Sequence, residues 1–237
     1  MSTASRVAAV IPCKDEADRI AETVAAVAGL PDVGLVVVVD DGSSDDTGLV
    51  AARAGALVVR HAINQGKAAG LMTGCARVAE EERRLGRDEP WVLLFVDGDL
   101  QGSAANLGPL IPPVLEGRAD LTVANIPRAN SSQGRGRVVR LARSQILAMT
   151  GREINQPLSG MRCLTREAYA AASPLASGWG VEAAMLVDVL RAGLRVEEVP
   201  VELTHRASGA DMRGRIHRAK QLRDVAKAVL ERRLRRG

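Results

Sequence analysis

Aromatic side chains are nearly absent: Trp91, Phe95, Tyr169 and Trp179 are the full set, 2% of 237 residues. A core without them must be packed from Val, Leu, Ala and Ile. A nucleic-acid module that stacks bases on aromatic platforms is excluded. Cysteine is scarce as well. Cys13, Cys75 and Cys163 are odd in number and unclustered, which leaves neither a disulfide framework nor a metal-binding cysteine spacing and points to a reducing compartment. No apolar run reaches the roughly 18–20 residues that a membrane-spanning helix needs. The opening MSTASRVAAVIP lacks the pattern of a cleavable signal. A cytoplasmic protein, soluble or peripheral at the inner membrane face, is expected.

What remains is ordinary for a soluble enzyme, with 46% hydrophobic and 25% charged residues. The net charge of +4 is unevenly spread: arginines crowd residues 128–143 and again 213–236. Such patches suit phosphates or an anionic membrane surface, or form a solvated face.

Along the first half, continuous apolar runs alternate with helical patterns. RVAAVIP, GLVVVVDD, ALVVR, WVLLFVDGD and ADLTVAN read as strands. In the helix over ADRIAETVAAVA, Ile20, Val24 and Val27 share one face. This alternation predicts an α/β fold with a mostly parallel sheet covered by helices, whose ligands bind beyond the carboxyl ends of the strands. Three of those ends are acidic: PCKDE, DDGSSDD and DGD. From Ile126 the pattern changes to a polar loop, a helix over VVRLARSQILAM, a short segment MRCLT, two further helices, a strand in LRVEEVPVELTHR and a basic terminal helix. One domain over 1–237 is expected, with a nucleotide-binding half at 1–125 and an acceptor-binding half at 126–237.

Asp97 and Asp99 in FVDGDLQG flank a glycine. A turn explains one aspartate; two carboxylates so close fit a hard divalent cation, Mg²⁺ or Mn²⁺, bridging them to phosphate oxygens. Asp40 and Asp41 precede a helix cap at Ser44 or Asp45 without being needed for it, and are candidates to bind a nucleobase or ribose. Gly66 and Lys67 begin a helix, where free N–H groups and the ammonium attract phosphate. The P-loop spacing is absent. Trp179, between Gly178 and Gly180, is either core or an exposed platform for a sugar or acceptor.

In order and interval, VIPCKDEADRI, VVVVDDGSSDDT, NQGKAAGL and FVDGDLQG resemble the family 2 glycosyltransferases of the GT-A fold. The resemblance implies that Asp97 and Asp99 hold the metal on a sugar nucleotide's diphosphate. It also implies that Pro12, Glu16, Asp40, Asp41, Gly66, Lys67, Asp97 and Gly98 line the nucleotide-sugar pocket. DGDLQ with PLSGMRCLTREAY resembles the dolichol-phosphate mannosyltransferase branch, which implies Gln101 as a further ligand. GRGRVVRL, NQPLSG and GWGVEAAMLVD resemble the glucosyl-3-phosphoglycerate synthase branch. That branch implies His205 as a metal ligand, Arg137 on the acceptor phosphate and Glu182 on the donor sugar. Val139 and Ala207 stand where it has a threonine and an asparagine.

The expected activity is transfer of a sugar from a nucleoside-diphosphate sugar to a phosphate-bearing acceptor, with Asp99, Glu182 and Lys67 as catalytic residues. Arg128, Arg137, Trp179 and Arg206 are expected to bind the acceptor, with Arg135, Arg140 and Arg143 nearby. Asp188 and Glu182 are candidate bases. A polyprenyl phosphate is the favoured acceptor, because Leu222, Val225, Ala226 and Val229 form an apolar stripe that fits a membrane surface or a homodimer. The alternatives are a small phosphorylated metabolite such as a phosphoglycerate, or a silent sugar-nucleotide-binding protein.

Overall fold

β1 (Val7–Cys13) and β2 (Val33–Asp40) are nearly unbroken apolar runs because both faces of each strand are covered. Val7, Ala9 and Ile11 enter one buried layer, and Ala8 and Val10 enter the other, following the two-residue period of a strand. The computed structural model describes residues 5–126, 136–203 and residue 232, without the side chains of Arg137 and Trp179.

The remaining strands are β3 (Leu57–Arg60), β4 (Val92–Phe95), β5 (Leu121–Asn125), β6 (Arg162–Leu164) and β7 (Val196–Pro200). All seven form one sheet in the order β3-β2-β1-β4-β6-β5-β7. Every pairing is parallel except those of β6, which runs antiparallel between β4 and β5. MRCLT, which carries no strand signal beyond its brevity, is therefore an inner strand of the sheet.

One layer holds α1 (Ile20–Ala28), α2 (Thr47–Arg53) and a 3₁₀ helix over Gln101–Leu110 that sequence periodicity did not foresee. The opposite layer holds α3 (Lys67–Leu85), α5 (Arg137–Thr150), α6 (Arg166–Ala172) and α7 (Val181–Arg191). A single turn, α4 (Pro112–Leu115), leads towards β5. Ile20, Val24 and Val27 are all buried, as the α1 pattern requires. Full burial of one such side chain contributes roughly 1.5–3 kcal/mol.

This topology decides what shares a rim. Cys13 is paired with Asp40, and Val10 with Phe95, so β1, β2 and β4 end on the same edge. Because β6 is antiparallel, it starts where β4 ends, with Arg162 opposite Phe95. Helices that return the chain to parallel strands begin at that same edge, which brings the first turns of α3 and α7 beside the three acidic strand ends. Of the terminal basic helix, only Arg232, which is helical and buried, lies within the described residues.

Candidate active site

The segment after β4 is held from beneath by a buried hydroxyl. Thr23 Oγ1 on α1 donates to the Gly98 carbonyl at 3.0 Å and accepts from the Gln101 amide at 2.8 Å. These two bonds bracket Asp99 and fix its backbone. Gly98 packs so tightly on β1 that a Cβ there would stand 2.7 Å from the Cys13 Cβ. Gln101 has a φ of +50°, a conformation that costs energy for a residue with a side chain and recurs at functional sites. Its amide donates to Glu22 Oε2 at 3.2 Å rather than to either aspartate.

Lys67, the first residue of α3, reaches across the rim. Its ammonium lies 2.6 Å from Asp97 Oδ1 and 3.0 Å from Glu182 Oε1 at the start of α7. Burial works against the charge, but the two carboxylates outweigh it and hold the Lys67 pKa above its ordinary value. Gly160 closes over the pair: a Cβ there would stand 2.4 Å from Lys67 Nζ and 2.8 and 2.9 Å from the two Asp97 oxygens. An added methyl group would have to displace Lys67 or Asp97.

Arg162 secures this arrangement, and the sequence reading missed it. Its side chain is 1% exposed and donates to the carbonyls of Pro157, Ser159 and Glu182 at 3.1, 2.9 and 2.9 Å. One guanidinium thus ties the loop carrying Gly160 to the helix turn carrying Glu182. Burial pushes its pKa down to about 10, with the negative charges of Glu182 and Asp97 acting in the opposite direction. The available signal was an arginine at the head of an apolar strand.

Asp40 and Asp41 are both buried and engaged by protein. Asp40 Oδ1 accepts from the Ser43 amide at 2.9 Å. Its Oδ2 lies 3.3 Å from an Arg60 nitrogen, an ion-pair distance without hydrogen-bond alignment, and accepts no hydrogen bond. Asp41 accepts from His61 Nδ1 at 2.7 Å and from the amides of Gln65 and Gly66, each at 2.8 Å. His61 Nε2 meets Thr73 Oγ1 at 2.9 Å. As placed here, Asp41 holds the loop that delivers Lys67. Glu16 is half-buried with its carboxylate 2.7 Å from Arg19, and Pro12 is half-buried at the end of β1. The N-cap of α2 is Asp46, without a side-chain capping bond, rather than Ser44 or Asp45; Asp45, one residue earlier, accepts from the Thr47 amide at 3.0 Å.

The structure therefore brings together Lys67, Asp97 and Glu182, with Gly98 and Asp99 following Asp97 along the chain. The carboxylate of Asp188, the other candidate base, is held by Arg232 at 2.5–2.9 Å. Arg143 is turned onto the Asn155 carbonyl, 2.8 Å from its Nε. Arg128, His205 and Arg206 lie outside the described residues, as do the side chains of Arg137 and Trp179. Among the described residues no three His, Cys, Asp or Glu side chains converge as a metal cluster, and no helix is long and apolar enough to cross a membrane.

A family model, glycosyl transferase family 2, matches residues 8–171, from β1 to α6. The chain belongs to glycosyl transferase family 2. Within that family it is 33% identical over 213 residues to a glucosyl-3-phosphoglycerate synthase of Mycolicibacterium paratuberculosis, covering 79% of this chain and 61% of that protein. Glycosyltransferase AglJ of Haloferax volcanii is 29% identical over 222 residues, covering 89% of this chain and 67% of that one. The chain thus spans less than two thirds of the mycobacterial relative's length.

Among solved structures, glucosyl-3-phosphoglycerate synthase from Mycobacterium tuberculosis, in complex with Mn²⁺, UDP and glucosyl-3-phosphoglycerate, superposes with a TM-score of 0.74. It is 26% identical and covers 96% of this chain and 80% of that one. The same enzyme with Mg²⁺ and UDP gives the same TM-score at 27% identity, covering 96% and 79%. The mixed α/β sheet and its covering helices are those of these GT-A neighbours.

Proposed function

We propose that the chain is a metal-dependent glycosyltransferase that moves a sugar from a uridine-diphosphate sugar to a small phosphorylated acid of the phosphoglycerate class. The carrying observation is the cluster at the carboxyl rim, where Lys67 lies between Asp97 and Glu182, with Asp99 two residues beyond Asp97 along the chain. The sequence-level preference for a polyprenyl phosphate finds no support in the comparisons, whereas its phosphoglycerate alternative does: the mycobacterial relative and both solved neighbours described above are glucosyl-3-phosphoglycerate synthases.

The donor set fits a hard divalent cation. Asp99 is half-buried, and its carboxylate takes no hydrogen bond from the described residues, so its oxygens are open to a ligand. Asp99 would hold Mg²⁺ or Mn²⁺, as the solved neighbours hold one or the other with UDP, and the cation would neutralise charge on the diphosphate. Thr23 fixes the Asp99 backbone from below. Lys67 supplies a second positive charge where negative charge develops on the leaving diphosphate, and preorganised charge of this kind is usually the largest catalytic term. Glu182, set at the first turn of α7, offers a carboxylate to the sugar hydroxyls. In the reaction an acceptor hydroxyl oxygen bonds to the anomeric carbon as the bond from that carbon to the diphosphate breaks, and the hydroxyl proton passes to the departing diphosphate oxygen. The arginines at 128–143 are candidates to hold the acceptor's phosphate.

The test is direct. Incubation with UDP-glucose, Mn²⁺ and a panel of phosphorylated acids and polyprenyl phosphates, read by UDP release and product mass, should give turnover with a phosphoglycerate. Turnover confined to polyprenyl phosphates would reverse the acceptor assignment, and UDP-sugar binding without turnover would favour a silent binding protein.

A further inference from the structure

Lys67 is held closely enough to affect what else can bind at Asp97. Its ammonium takes Asp97 Oδ1 at 2.6 Å, and both Asp97 oxygens lie under the Gly160 backbone. A divalent cation drawn to the Asp97–Asp99 pair therefore competes with Lys67 for Asp97. Lys67 also bonds Glu182, so two carboxylates retain it. What would draw it off is a stronger anion within reach, and a diphosphate at the α3 N-terminus is one.

We propose that Lys67 is a competing internal counter-ion at Asp97, so that the cation binds weakly by itself and tightly only together with the nucleotide diphosphate that takes up Lys67. This rests on the glycosyltransferase reading and adds to it an order of assembly. Two features favour exchange over a permanent ion pair. The Lys67 and Asp97 side chains are 28% and 30% exposed, within reach of an entering ligand. Arg162 lies buried near them, bonded among the described residues only to carbonyls, and remains as a fixed positive charge near Asp97 and Glu182 when Lys67 moves. The two carboxylates are thus not left without a cation.

The experiment measures Mn²⁺ binding by the electron paramagnetic resonance signal of the free ion, without turnover. The wild-type chain is compared with Lys67→Met, Asp97→Asn and the double variant. Lys67→Met should bind Mn²⁺ on the order of tenfold tighter than wild type. In the Asp97→Asn background the same substitution should give no gain, because non-additivity isolates the direct pair. Adding UDP should tighten Mn²⁺ binding in the wild type and do so much less in Lys67→Met, since coupling between two ligands is reciprocal.

Equal Mn²⁺ affinity in wild type and Lys67→Met overturns the proposal. A gain that persists beside Asp97→Asn also overturns it, for that would be a through-space charge effect. If none of the four proteins binds Mn²⁺, the cation reading of Asp99 falls with it; if binding is present, equal across Lys67 variants and lost in Asp99→Ala, only the exchange falls. Lys67→Gln, which keeps a polar group between the carboxylates, is a second variant should Lys67→Met fail to fold, and should show the same gain.

Discussion

The guanidinium of Arg162 and the backbone carbonyl of Glu182 are 2.9 Å apart, with neither group exposed to bulk water. Through that bond the head of an inner antiparallel strand fixes the helix turn that faces Lys67. Arg162→Met would leave three carbonyls without their donor. A buried unsatisfied group costs about 1–3 kcal/mol, so a loss of roughly 3 kcal/mol or more is expected. Urea unfolding should rank Arg162→Met below Arg162→Lys, and Arg162→Lys below wild type. An unchanged midpoint for the methionine variant would contradict this role.

Gly160→Ala probes the site with less cost to the fold. The new methyl group has nowhere to go except against Lys67 and both Asp97 oxygens. Turnover should fall by about 100-fold, the scale of a 1 Å misplacement of reacting groups. Calorimetry should show weakened UDP–Mn²⁺ binding, while the melting temperature moves little.

Asp99→Ala and Asp188→Asn should separate cleanly. Asp99→Ala should remove metal-dependent nucleotide binding and lower turnover by about 100-fold or more, because the cation's charge stabilisation is lost. Asp188→Asn should keep turnover and instead weaken the hold on Arg232. Inactivity of a folded Asp188→Asn would restore Asp188 as a base.

His61→Ala should destabilise the chain by about 1–3 kcal/mol, since it strips a partner from buried Asp41. His61→Asn, which can still bond Asp41, should recover part of that loss in thermal melts. Full stability of His61→Ala would show that the Asp41–His61–Thr73 chain does not support the loop leading to Lys67.

Acid should unfold the chain through specific carboxylates. For Asp41, burial raises the pKa, but hydrogen bonds from Gln65, His61 and Gly66 outweigh it and leave it below its ordinary value of 3.8. Asp120 is lowered by its hydrogen bonds and ion pair with Arg195. A depressed native pKa means the unfolded chain takes protons first. The stabilisation is therefore complete above the ordinary value and is lost as pH falls below it, at about 1.4 kcal/mol per pH unit for each proton of difference. Denaturant midpoints from about pH 6 down to about pH 3 should fall, and Asp120→Asn should flatten that fall.

Much of this was legible before any coordinates. The alternation of apolar runs with helical patterns determined the α/β class, because a strand covered on both faces has to be apolar throughout. The acidic ends of the first, second and fourth strands followed from the same reading, and so did the proposal that Asp97 and Asp99 meet a cation. Local sequence determines such features because they depend on neighbouring residues and short periods.

The tertiary structure alone decided which distant groups meet. MRCLT is too short for a periodic signal, yet its antiparallel insertion beside β4 puts Gly160 and Arg162 at the rim that holds Lys67 and Asp97. Glu182 reads locally as a first-turn acid that complements a helix dipole, and only the packing of α7 brings it 3.0 Å from Lys67. Asp41, a nucleotide contact by motif, is bonded to His61 and the amides before Lys67, and Asp188 is claimed by Arg232. Spacing along the chain determined which residues carry charge and which lie in the core. Which charges neutralise one another was decided by the order of strands in the sheet, because an ion pair depends on distance in space.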